Sequence, residues 1–189
     1  MKWTQAAMSE VAEEERAGLG LAPHDAFNPY ALCDAHGISV YSIKDLSGVS
    51  TEAVEHFSHS KSGSWSAALI PVGTARIIVE NPAHHSNRRR TNISHELGHH
   101  LLEHPFNGVL LGESHAEAFA ANLEKQATFM AGELLIPKAA ANKAAFSDWT
   151  NEQVAEHFGV STQFAQMQMK GPRVYAQRSR ALHRRGQLS

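Results

Sequence analysis

The residues whose types and spacing can do chemistry are His95, Glu96 and His99, in the pattern His-Glu-x-x-His within Thr91–Leu102. On a helix, positions four apart share a face, so both imidazoles can reach one zinc ion. Glu96 stands beside that metal position, where a carboxylate can take a proton from an activated water. Two exposed helical histidines are the plain alternative. The flanks argue against it: Ile93, Leu97 and Leu101 recur every four residues as an apolar stripe. Gly98 costs a helix about 1 kcal/mol relative to alanine, which predicts another backbone packed close to it.

A hydrolytic zinc needs a third protein ligand and an open position for water. Residues 114–135 read as a second long helix, and it offers Glu117, Glu124 and Glu133. Glu117 fits a capping box with Ser114, and Glu133 falls in the last turn before Pro137. Glu124 is mid-helix among Ala120, Ala121, Ala127 and Ala131, small neighbours that permit close helix packing. Glu124 is therefore chosen, with Glu117 next.

The remaining elements must position these two helices. Residues 3–18 read as a Glu-rich helix with a solvated face. Asn28-Pro29 starts a short helix closed by Gly37, and residues 38–43 alternate as a strand. Ser50 can cap a short helix over 51–59, and 58–64 is a Ser/Gly loop. Residues 65–70 and 75–80 form a hairpin through 71–74. A loop then leads to Arg88-Arg89-Arg90, read as a solvated entry to the motif helix, which should end near His104-Pro105. After Pro137 comes a loop, and then Thr150 and Gln153 make a second capping box. A helix ends at Gly159, and another, capped by Ser161, ends near Gly171-Pro172. This pair resembles a helix-turn-helix.

The chain has 189 residues, with 17 basic and 19 acidic. Six of the 17 basic residues (Lys170, Arg173, Arg178, Arg180, Arg184 and Arg185) lie in 170–189 with no acid among them, leaving 11 against 19 and a net of −8 for the rest. A basic tail thus follows an acidic body. Cys33 is the single cysteine, which excludes an intrachain disulfide and fits a reducing cytoplasm; it is expected to be a buried, inert thiol. No signal peptide or membrane span is apparent, and no membrane partner is expected. The expected organisation is a catalytic domain over 1–146, the helix-turn-helix-like element over 147–172, and a basic tail over 173–189.

Together, His95-Glu96-Leu97-Gly98-His99 and the segment from Glu124 to Pro137, which runs through Ala127 into Leu134-Leu135-Ile136-Pro137, resemble the ImmA/IrrE-type zinc metallopeptidases. Ile77–His84 and Phe158–Ser161 fit the same family, and the likeness spans roughly residues 20–172. Thr128-Phe129-Met130 and Gln168-Met169 depart from its usual pattern. The resemblance implies an α+β fold: a compact zincin-like core with a small, mostly antiparallel sheet and a two-helix zinc site. It implies His95, His99 and Glu124 as Zn2+ ligands, Glu96 as catalytic base, and a protein substrate such as a transcriptional repressor or other regulator in stress or mobile-element control.

His100, His104, His115 and Tyr41 are candidates for an extra oxyanion donor, and an extended substrate is expected to add to the 75–80 strand. A DNA-binding regulator using residues 147–189 is the alternative function; the acidic body disfavours nucleic acid as a partner. A zinc sensor without activity is a third reading, which Glu96 disfavours because a structural zinc needs no such carboxylate.

Overall fold

The computed structural model describes residues 3–48, 51–55, 65–105 and 114–186, the side chains of 52, 53, 114–120, 185 and 186 excepted. The Ser50 cap, residues 56–64 and the 106–112 loop lie outside the described residues, as do the side chains of the Ser114–Glu117 capping box.

Helix α1 (Gln5–Gly18) is capped by Thr4, whose hydroxyl accepts from Ala7 N. Its charged face is solvated as expected, but Met8, Ala12 and Arg16 are buried on the other side. Arg16 spans two segments, donating to Leu134 O at 2.6 Å and to Asp25 O at 2.6 Å. Helix α2 (Pro29–Ala35) starts at the Asn28 cap and leads into β1 (Ser39–Ser42), a 3-10 turn (Ile43–Leu46) and α3 (Thr51–Glu55).

Strands β2 (Ala67–Val72) and β3 (Ala75–Glu80) form the hairpin, closed by Gly73-Thr74, so Pro71 and Val72 belong to the strand rather than to the turn. The sheet order is β1-β3-β2, with β1 parallel and β2 antiparallel to β3. The sheet is therefore mixed rather than mostly antiparallel. The cause is the crossover between β1 and the hairpin, which lays β1 alongside β3 in the same direction. β3 is central, and both its edges are taken. The expectation that a substrate adds to residues 75–80 is thereby overturned; among the described residues the outer edges of the sheet belong to β1 and β2.

Helix α4 (Ser86–Leu101) carries the motif and starts earlier than the sequence suggested, so the arginine run is helical. It is not merely solvated. Arg89 is ion-paired to buried Glu80, which also accepts from Tyr30 Oη at 3.0 Å. Arg90 reaches the carbonyls of Phe27 and Gly159, and Asn87 Nδ2 donates to Val160 O at 2.9 Å. These bonds fasten a distant turn to the start of the motif helix.

Helix α5 (Ser114–Leu135) packs against α4, and α6 (Lys138–Phe146) follows directly. The expected loop after Pro137 is thus a helix. Its alanines 140, 141, 144 and 145 are all buried, and Pro137 is suited to a helix start. Helix α7 (Asn151–Phe158) has the expected Thr150/Gln153 capping box and ends on Gly159 at φ 63°, a left-handed position natural to glycine. Helix α8 (Thr162–Gly186) does not stop at Pro172. An internal proline costs a helix about 3 kcal/mol. Here tertiary bonds outweigh it: Arg173 donates to Asn151 Oδ1 at 2.6 Å, Arg180 pairs with Asp148 at 2.8 Å, and Ala176 is buried.

Candidate metal centre

The site begins with how α4 lies on α5. Ile93, Ser94, Leu97 and Gly98 face the core, half-buried Leu101 packs against it as expected, and Leu102 at the helix cap is buried as well. A Cβ on Gly98 would stand 2.8 Å from Ala127 O. The bare Cα therefore lets the two helices approach, as the sequence anticipated. Ala127 is one turn from Glu124 on α5, so this contact sets the distance between Glu124 and the histidine pair.

His95 Nε2 lies 3.1 Å from His99 Nε2 and 3.1 Å from Glu124 Oε2, and His99 Nε2 is 3.3 Å from Glu124 Oε1. One ligand atom from each residue falls within 4.8 Å of the others, making a group that could hold a metal ion. Two imidazoles and one carboxylate are a donor set that zinc accepts with an open fourth position. Burial, then the neighbouring His95, pushes His99 down to about 4, against the pull of Glu124; its imidazole is neutral at pH 7, the form that ligates.

Glu96 leaves α4 toward the sheet, and its Oε2 accepts from Leu69 N of β2 at 3.0 Å. Burial raises its carboxyl above the ordinary range, while His95 and the Leu69 N–H oppose the shift. Because Leu69 N donates away from β3, alternation along the strand places Ala67 and Pro71 on the same outward side. Pro71, which has no N–H, sits where no ladder bond is lost. Glu96 thus stands at the open edge of the sheet.

The other expected residues divide. Glu133 is away from the metal group, and its Oε2 accepts from Lys138 N at the start of α6. The side chains of Glu117 and His115 lie outside the described residues. His100 is turned away: Arg76 Nη1 donates to its Nδ1 at 2.7 Å, and its Nε2 meets His36 Nδ1 at 3.2 Å. His104 lies behind His99, with the two Nδ1 atoms 2.9 Å apart. Tyr41 is on β1, the edge strand opposite β2. Cys33 is fully buried and its thiol is pushed up to about 12 by that burial. Sequence reasoning missed Leu69 N, because a backbone donor leaves no residue-type signal. It also missed Gln126, whose amide meets His104 Nε2 at 3.0 Å.

A two-helix His/His/Glu group that could hold a metal ion, with a further carboxylate, Glu96, between it and a strand edge, is an arrangement able to bind a metal and move a proton beside it. The comparison of the sequence with protein families agrees: the model of the IrrE N-terminal-like domain, a peptidase family, matches residues 33–170. The chain belongs to that family. No curated protein is significantly similar to it. Among the described residues, no helix is long and apolar enough to cross a membrane.

Proposed function

We propose that this protein is a zinc-dependent endopeptidase that cuts a regulatory protein, such as a transcriptional repressor. His95, His99 and Glu124 hold the metal, and Glu96 is the catalytic base. The observation that carries the reading is the convergence of the three ligand atoms beside a second carboxylate, Glu96, at the outer edge of β2. Bound zinc supplies a Lewis acid that activates water and polarises the scissile carbonyl.

The chain's own groups do the rest. An extended substrate lies along the outward side of β2, pairing with the Ala67 N–H and the outward carbonyls, since the Leu69 N–H is held by Glu96 and Pro71 has none. Glu96 takes the proton of the attacking water and delivers it to the departing amine. Its raised pKa brings it nearer the range where one carboxyl can serve as both base and acid. The Leu69 N–H holds the carboxylate in line with the strand edge.

The supporting experiment compares the proteomes of cells expressing wild type and Glu96→Gln. A regulator cleaved with wild type alone supports the reading. Identical proteomes, with both proteins zinc-loaded, would contradict it.

A DNA-binding role for residues 147–189 has one favourable observation: Lys170, Arg178 and Arg184 point outward from α8 and are exposed. Two of the six basic residues of that segment, Arg173 and Arg180, are instead engaged with Asn151, Trp149, Asp148 and Phe146. Salt-dependent DNA affinity lost on deleting 173–189 would favour that reading over the peptidase.

A further inference from the structure

We propose that Gln126 and His104 are positioning residues that fix the tautomer of His99, leaving its Nε2 lone pair free for the metal. The inference rests on the metal reading above.

It starts from how α4 ends. Glu103 adopts φ 52°, the left-handed position that glycine usually takes just past a helix. His104 N then bonds His99 O at 3.0 Å, and Glu103 N bonds His100 O at 3.1 Å. These are the two bonds of a Schellman turn, in which the second residue past the cap comes to lie against the third-from-last helical residue. That contact is commonly apolar. Here it joins two imidazoles, His104 against His99, with ring centroids 5.0 Å apart. His104 is 5% exposed, so its polar atoms need partners within the protein.

Both of its nitrogens have one. His104 Nδ1 is 2.9 Å from His99 Nδ1, and His104 Nε2 is 3.0 Å from Gln126 Oε1. Between two neutral rings, an Nδ1···Nδ1 contact needs one N–H and one lone pair, so the line can run in only two directions. With Gln126 Oε1 as acceptor, His104 carries its proton on Nε2. Its Nδ1 then accepts from His99 Nδ1–H, and His99 Nε2 is a bare lone pair facing His95 and Glu124. The opposite direction would put a proton on His99 Nε2 and block ligation. Gln126 lies on α5 two residues after Glu124. The helix that supplies the carboxylate ligand thus also orients the histidine ligand through His104. Such outer partners typically change metal affinity by about tenfold to a hundredfold.

The test uses position 126, which is half-buried. Glutamate only accepts hydrogen bonds and preserves the direction of the line; lysine only donates and reverses it. Zinc dissociation constants are measured at pH 8, above the ordinary imidazole range, by competition with a chelator. Gln126→Glu is expected to stay within about threefold of wild type, and Gln126→Lys and Gln126→Leu to weaken binding about tenfold or more. Nitrogen-15 spectra of the zinc-free protein should show the His99 proton on Nδ1 and the His104 proton on Nε2. Equal affinities for the Glu and Lys variants, or a His99 proton on Nε2, would overturn the proposal. A wild type that takes up no zinc overturns the metal reading itself. The two failures are distinguishable because the tautomer is read without metal.

Discussion

Gly98 and Ala127 meet backbone to backbone: a Cβ on Gly98 would lie 2.8 Å from the Ala127 carbonyl oxygen and 3.0 Å from its Cα. The neighbour is main chain and cannot rotate aside. Gly98→Ala should therefore push α4 from α5 and destabilise the protein by about 1–3 kcal/mol, despite alanine's better helix propensity. The same shift separates Glu124 from the histidines, so zinc affinity should fall with stability. Denaturant titration and a chelator competition check both. A variant as stable as wild type would mean the helices pack with room to spare.

Arg89 neutralises Glu80, which is 4% exposed at the end of the central strand. Among the described residues, Arg89→Ala leaves the buried carboxylate with the Tyr30 hydroxyl alone, at an expected cost of about 3 kcal/mol. Adding Glu80→Gln should restore part of that loss, because the penalty comes from the unpaired charge. Urea midpoints of the single and double variants measure it. An equal loss in both would assign the effect to packing of the arginine stem.

Glu133 is buried, and that burial raises its carboxyl above the ordinary value of 4.5, with the Lys138 N–H opposing. A raised folded-state pKa means the folded protein binds this proton more tightly than the unfolded chain. The resulting stabilisation is fully present below 4.5 and is lost as pH rises through the folded value. Glu133→Gln keeps an acceptor for Lys138 N without the charge. Its stability relative to wild type should therefore be greatest near pH 8 and shrink toward pH 4. Chemical denaturation at the two pH values tests the sign, and a difference independent of pH would contradict it.

Cys33 is fully buried with its thiol held near 12. The native protein should resist iodoacetamide at pH 7 and react only when unfolded. Rapid native labelling, read by mass spectrometry, would show that the α2 region opens.

The metal group was legible because its signal is local. Two histidines four apart, a glycine where a helix disfavours one, and a carboxylate flanked by alanines each mark in residue type the place where the two helices meet. The caps at Asn28, Thr150 and Ser161 were legible for the same reason. What escaped depended on long-range pairing. No pattern within 75–80 says that β1 runs parallel beside it and closes that edge. The alanines of 138–146 do recur four apart, 140 with 144 and 141 with 145, but so short a run of small side chains after Pro137 is a weak signal, and α6 read as a loop. Pro172 is a local stop signal overridden by Arg173 and Arg180 bonding to the end of α6 and the start of α7. The Arg88–Arg90 run looked solvated because Glu80, Phe27 and Gly159, its partners, are distant in sequence. His104 read as one of four candidate oxyanion donors until the Schellman turn placed it behind His99.

Metal content after purification tests the central claim most directly. Wild type and Glu96→Gln should each carry about one zinc per chain, since Glu96 is not a ligand, and Glu124→Ala should lose most of it. Stoichiometric zinc in Glu124→Ala, or none in wild type, would contradict the account.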